Sequence, residues 1–150
     1  MLGDLDGDGF VEAIFGGKGQ IWAFRFNGVL QTGAPLALPL KDETGPIETP
    51  PLLADLDGDG TTEILVGSRG GLLYGLTSNG RSLSGFPLSA QGPIRSSPLL
   101  DDLDGDGTLE LVLFTDNGAV HLWHLERIDP EFTSSRILWG QLGGGSGNTG

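Results

Sequence analysis

A nine-residue acidic motif, Asp-Leu-Asp-Gly-Asp-Gly-x-x-Glu, occurs three times in the chain and constrains its fold more than any other feature. The copies begin at Asp4, Asp55 and Asp102, so their spacings are 51 and 47 residues. A period of this length is typical of β-propellers and other repeat architectures. The three windows hold 12 of the 20 carboxylates, and the net charge is −12. Such crowding of negative charge destabilises a fold unless a cation neutralises it.

The segments between the motifs predict short β-strands. Each motif is followed by an apolar run, a glycine-containing turn and a second run, with the same spacing in every copy. Runs this short and this rich in β-forming residues favour strands over helices. The first runs are 13–15, 64–66 and 111–113, and the second runs are 20–24, 72–76 and 119–123.

Two further strands complete the predicted unit. Asn27-Gly28 and Asn79-Gly80 suit tight hairpin turns, and Pro35 and Pro87 suit an outermost strand because proline cannot donate a ladder hydrogen bond. A lead-in strand before the acidic loop is indicated by segments 46–55 and 93–102, which align at a constant shift of 47.

The sequence therefore predicts an all-β fold of three four-stranded antiparallel blades, forming a partial β-propeller or half of a six-bladed ring. The first blade is expected to lack its lead-in strand, because only Met1 to Gly3 precede its loop. Ile137-Leu138-Trp139 is expected to supply a last outer strand. The predicted repeats span about 1–45, 46–92 and 93–142 of a single region, and 143–150 is a glycine-rich flexible tail despite its Gly-x-Gly-x-x-Gly pattern.

The acidic loops have the spacing of a calcium site. Carboxylates at positions 1, 3, 5 and 9 and glycine at position 6 can direct several oxygens inward, as Ca²⁺ requires, and the position 7 carbonyl adds another. Magnesium prefers fewer protein ligands. An EF-hand is excluded because position 12 is Phe15, Val66 or Leu113 within predicted strands. We expect three Ca²⁺ sites, with these ligands: Asp4, Asp6, Asp8, Phe10 and Glu12; Asp55, Asp57, Asp59, Thr61 and Glu63; Asp102, Asp104, Asp106, Thr108 and Glu110.

The other candidate residues are expected to have structural roles rather than to bind a ligand or catalyse a reaction. His121 and His124 are three apart on a predicted strand, so they point to different faces and predict no catalytic or metal site. Trp22, Trp123 and Trp139 are expected to pack in the core or between blades rather than to bind glycans, and the side chain of Asp101 is expected to be solvated. We therefore predict no catalytic residue.

Composition argues against several classes of protein and of functional site. The acidic charge argues against nucleic acid. There is no cysteine, so disulfides and thiolate chemistry are absent. No apolar stretch approaches the ~20 residues of a membrane span, and no signal peptide is visible.

The repeats resemble the FG-GAP and VCBS repeats, calcium-loop propellers similar to the head of integrin α subunits. The resemblance is carried by segments 49–63 and 96–110 and by Gly85-Phe86-Pro87. In the integrin-type order Phe-Gly precedes the loop, whereas Phe15-Gly16 follows the first loop here. This difference favours the broader bacterial-type repeat. The resemblance implies an extracellular, periplasmic or cell-surface module.

The expected function is a non-catalytic adhesion or interaction scaffold with structural calcium. The alternative is a fragment of a propeller-type enzyme such as a polysaccharide lyase. Three blades leave two apolar end faces, so the expected partners are the missing blades or a second copy as a homodimer, together with a protein or glycan ligand.

Overall fold

The computed structural model describes residues 1–17, 19–30, 36–38, 45–56, 60–125 and 137–139. These residues form three antiparallel sheets, and no helix occurs among them. The all-β prediction is therefore confirmed. In the described part of the chain, no helix is long and apolar enough to cross a membrane.

The strands follow the three repeats in chain order. The first sheet contains β1 (Leu2–Gly3), β2 (Glu12–Gly17), β3 (Gln20–Phe24) and β4 (Leu36–Ala37). The second contains β5 (Leu52–Ala54), β6 (Glu63–Gly67), β7 (Leu72–Leu76) and β8 (Leu88–Ser89), together with β12 (Ile137–Trp139). The third contains β9 (Leu99–Asp101), β10 (Leu109–Phe114) and β11 (Val120–Leu125).

The first sheet has the lead-in strand that the sequence analysis expected it to lack. Leu2 pairs with Ala13 and Gly3 with Glu12, and Met1 and Ile14 exchange backbone hydrogen bonds of 2.8 and 2.9 Å. Two residues are enough for this strand because the backbone of β2 offers its donors and acceptors at that edge.

The predicted four strands per sheet are not matched throughout, since the described sheets have four, five and three strands and do not close into a ring. The difference comes from β12, which was expected to be the last outer strand. It instead pairs with β5 of the second sheet, with Ile137 opposite Ala54 and Trp139 opposite Leu53. A free sheet edge accepts any strand that can satisfy its backbone groups.

The sheets are held together by two apolar cores that share the second sheet. In β5, Leu53 packs in the core with the first sheet, whereas Leu52 and Ala54 pack in the core with the third. In β6, Ile64 packs in the core with the first sheet and Leu65 packs in the core with the third. Because side chains alternate along a strand, the second sheet is buried on both faces and the sheets stack face to face.

Backbone and hydroxyl contacts join consecutive repeats. Thr62 Oγ1 donates to the Asp4 carbonyl at 2.9 Å, which ties the second acidic loop to the first. Ser97 Oγ donates to the Pro50 carbonyl at 3.0 Å, which links two lead-in segments. The acidic loops of the first two repeats are therefore neighbours in space.

Candidate metal sites in the acidic loops

Each acidic loop connects a lead-in strand to the first long strand of its sheet, and its first aspartate organises the backbone. In the first loop, Asp4 Oδ1 accepts from Gly7 N–H at 2.8 Å and Oδ2 from Gly9 N–H at 2.9 Å. These glycines have φ values of 74° and 87°, which side chains with a Cβ rarely adopt. The third loop repeats both contacts, from Gly105 and Gly107 to Asp102 at 2.7 and 3.0 Å.

The glutamate at position 9 closes every loop in the same way. Its Oε2 accepts from the backbone N–H of the leucine at position 2, at 2.9 Å for Glu12, 2.7 Å for Glu63 and 2.8 Å for Glu110. All three glutamates are buried. The glutamate therefore fixes the two ends of each loop through Oε2.

The structure brings predicted ligands together in two loops. Oxygens of Asp4, Asp6 and Asp8 lie within 4.8 Å of one another. In the third loop, oxygens of Asp102, Asp104 and Glu110 also lie within 4.8 Å of one another. The first group does not include Glu12, so the described oxygens of that loop are only partly converged.

The second loop is described in part. Asp55 is buried and its Oδ2 accepts from Gly60 N–H at 3.2 Å, the contact that Asp4 and Asp102 make in the other loops. Asp57 and Asp59 lie outside the described residues, so their predicted role stays a prediction. The carbonyl ligands expected from Phe10, Thr61 and Thr108 also stay predictions.

Glu12 carries a charge that its surroundings penalise. The side chain is 1% exposed, and Oε1 has no hydrogen-bond partner among the described residues. Burial raises the pKa of the Glu12 carboxyl above its usual value; the Leu5 N–H opposes this rise, and the carboxylates of Asp6, Asp8 and Asp4 add to it. A cation at this loop would remove the penalty.

The residue facing the loop glutamate across the hairpin differs among the repeats. In the third sheet His124 pairs directly with Glu110. In the first sheet, Arg25 follows Phe24, which pairs with Ala13. The guanidinium of Arg25 donates to Asp6 Oδ2 at 3.0 Å. The corresponding residue of the second sheet is Thr77. The first loop therefore has a guanidinium beside it and the third an imidazole, whereas the Thr77 hydroxyl bonds Asn79 and Arg81 in its own turn.

His124 makes polar contacts with the third loop that the sequence did not predict. Its Nδ1 lies 2.7 Å from Glu110 Oε1 and its Nε2 lies 2.9 Å from Thr108 Oγ1. His121 does point elsewhere, as predicted, and its ring stacks on Trp123 at 5.3 Å. Glu110 and His124 are 14 residues apart in the chain, and the register of β10 with β11 is what brings them together.

The remaining candidates take packing or local roles. Trp22 stacks on Phe24 with centroids 6.5 Å apart, and Trp123 packs against the core shared with the second sheet. Asp101 Oδ1 accepts from Asp102 N–H at 3.0 Å. The side chain of Trp139 and the tail 143–150 lie outside the described residues.

Comparison with known protein families gives one match. Residues 4–66 match the model of the FG-GAP-like repeat. The match supports the resemblance of this segment to the FG-GAP-like repeat. It covers the first acidic loop, strands β2 to β5, and the second loop through most of β6. No curated protein matches the chain.

The matched segment extends from one acidic loop to the next. The matched segment therefore includes the two loops that Thr62 and Asp4 join. The third loop lies beyond the matched residues, but its hydrogen bonds from Gly105, Gly107 and Leu103 repeat those of the first loop.

Proposed function

We propose that the chain is a calcium-binding module of β-propeller blades, in which each acidic loop holds one structural Ca²⁺. The observation that carries the proposal is Glu12, a buried carboxylate whose Oε1 has no hydrogen-bond partner in the described chain beside three converged aspartates. Buried charges are retained when they are paired or coordinate a metal. The family match supports the repeat architecture.

The donor chemistry fits calcium. The converged side chains of the first loop offer carboxylate oxygens only, the ligands that hard cations prefer. The glycines at positions 4 and 6 let the loop turn tightly around a central point. Calcium bound there would neutralise the mutual repulsion of the carboxylates and hold the lead-in strand on the first long strand.

The function that we propose for the module is non-catalytic adhesion or interaction outside the cytoplasm. Structural calcium loops of order 10⁻⁴ to 10⁻³ M affinity suit extracellular modules, where calcium is abundant. Binding to a glycan array without turnover would support a scaffold, whereas depolymerisation of a bound polysaccharide would contradict it.

The stack leaves apolar side chains on both outer faces, which supports partner blades. Phe15 of the first sheet is 48% exposed, and Phe114, Val120 and Leu122 of the third sheet are 49, 59 and 60% exposed. Faces of this kind mark interaction surfaces. We propose that further blades or a second copy cover them. Light scattering that gives a stable monomer would contradict the homodimer.

Calcium counting tests the metal proposal. Equilibrium dialysis of the full chain is expected to give three bound Ca²⁺, and EDTA is expected to lower the melting temperature because a ligand of the folded state stabilises it. Asp57→Ala is expected to bind one ion fewer, whereas Glu48→Gln, an exposed carboxylate outside the loops, keeps all three. A chelation-insensitive melting temperature with no bound calcium would overturn the proposal.

A further inference from the structure

His124 gives the third acidic loop a donor that the other loops lack. Donor atoms of Asp106, Glu110 and His124 all lie within 4.8 Å of one another. When the register of each hairpin is continued by one residue, the position opposite the loop glutamate is Arg25 in the first sheet and Thr77 in the second. The third loop alone among the three therefore adds a nitrogen ligand to its carboxylates.

The hydrogen bonds around the imidazole set the direction of its two nitrogens. Thr108 Oγ1 donates its only proton to Asp106 Oδ1, so toward His124 it acts as an acceptor. The Nε2 of His124, 2.9 Å away, is placed to donate to that oxygen. This arrangement directs Nδ1 toward Glu110.

The second ring nitrogen faces a carboxylate. His124 Nδ1 lies 2.7 Å from Glu110 Oε1. Glu110 is 4% exposed, and no backbone or hydroxyl group of the described chain donates to its Oε1. An imidazole nitrogen and a buried carboxylate oxygen therefore converge beside the carboxylate of Asp106.

We propose that the third loop binds a borderline transition-metal ion, such as Zn²⁺, through His124 Nδ1, Glu110 Oε1 and a carboxylate oxygen of Asp106. Imidazole nitrogen with carboxylate oxygens is a donor set for zinc and its neighbours, whereas Ca²⁺ selects oxygen. Three protein ligands leave the fourth tetrahedral position to water.

The surroundings already orient the histidine. Metal-bound histidines donate their other ring N–H to an acceptor that fixes the tautomer, and Thr108 Oγ1 is placed as that acceptor. Ligand atoms bound at about 2.0–2.1 Å in a tetrahedron stand about 3.3 Å apart. A small outward rotation of the exposed His124 ring from its 2.7 Å contact would provide this separation.

Zinc and calcium would compete at this loop, because Asp106 and Glu110 belong to both donor sets. The first two loops have no imidazole beside them and keep their preference for calcium. The inference depends on the contacts of His124 and not on calcium in the other loops, so the two proposals can fail separately.

Zinc titration of the full, calcium-free chain tests the inference. Isothermal titration is expected to give one zinc site per chain, weakened at least about tenfold in His124→Gln, since even a lost second-shell contact costs 10- to 100-fold. His121→Gln is the matched control, because the chain has two histidines and His121 stacks on Trp123 away from the loop. Co²⁺ bound to the wild type is expected to give visible absorption bands that His124→Gln loses.

Three outcomes would overturn the inference: wild type that binds no zinc, His124→Gln with wild-type zinc affinity, or equal losses in both histidine variants. Circular dichroism and melting of each variant would show that it is folded. A parallel calcium titration separates the two proposals. Zinc binding that depends on His124 in a chain that binds no calcium would contradict the proposed function and leave the zinc site standing.

Discussion

Ile94 packs so closely on Gly67 that a Cβ atom at position 67 would lie 2.3 Å from Ile94 Cγ2. Ile47 and Gly16 repeat this contact one repeat earlier, where the corresponding distance is 2.2 Å. Each isoleucine begins the lead-in of one repeat and lies on the end of the long strand of the repeat before it. The two contacts therefore set how closely consecutive sheets stack.

Gly67→Ala is expected to destabilise the chain by about 1–3 kcal/mol, the usual cost of an added methyl group in a packed core. The matched control is Gly17→Ala, because an added Cβ at Gly17 has no neighbour within 4 Å. Urea unfolding of both variants measures the difference. Equal stabilities would show that the Ile94 contact does not constrain the stacking.

An ion pair lies beside each of these two isoleucine–glycine contacts, and the acidic and basic partners are exchanged between them. Glu48 of the second lead-in pairs with Arg69 at 3.5 Å, whereas Arg95 of the third lead-in pairs with Asp116. Arg95→Glu would place like charges together and is expected to cost about 0.5–1 kcal/mol, in the range of exposed pairs. Adding Asp116→Arg is expected to restore the stability. A double variant no more stable than the single variant would contradict a pairwise interaction.

Glu12→Gln is expected to change stability in opposite directions with and without metal. In EDTA the variant is expected to melt higher than the wild type, because the buried charge whose pKa is raised is removed while an oxygen remains for Leu5 N–H. In excess calcium it is expected to gain less than the wild type, because a charged ligand is lost. Differential scanning calorimetry of both proteins in EDTA and in excess calcium measures these melting temperatures.

The exposed Glu48 provides the comparison, since Glu48→Gln loses only its pair with Arg69 and is expected to shift the melting temperature equally in excess calcium and in EDTA. If Glu12→Gln were less stable than the wild type in EDTA, the buried carboxylate would be stabilising on its own. The explanation of Oε1 as a metal ligand would then be wrong.

The sequence predicted the local architecture well, because local signals set it. Tight turns were expected at Asn27-Gly28 and Asn79-Gly80, and Gly28 and Gly80 have φ values of 79° and 84°. The strands that follow Pro35 and Pro87 are the outermost strands β4 and β8, as expected. These features depend on which residues tolerate a positive φ or lack an N–H, and neighbours along the chain supply that information.

The candidate sites were predicted less completely. The acidic residues were found because they lie within nine positions of one another. Arg25 and His124 were missed because they reach the loops across a hairpin, 19 residues from Asp6 and 16 from Thr108. A pattern along the chain does not give that distance. The register of the two strands does.

The sequence by itself determined the repeats, the strands, the turns and the acidic loops, since each depends on conformational and charge preferences of adjacent residues. Only the tertiary structure decided the pairing of β12 with β5, the stacking of Ile94 on Gly67 and the imidazole beside Glu110. A sheet edge recognises backbone groups that are the same in every residue, and side chains meet across sheets only after the strands have paired and stacked.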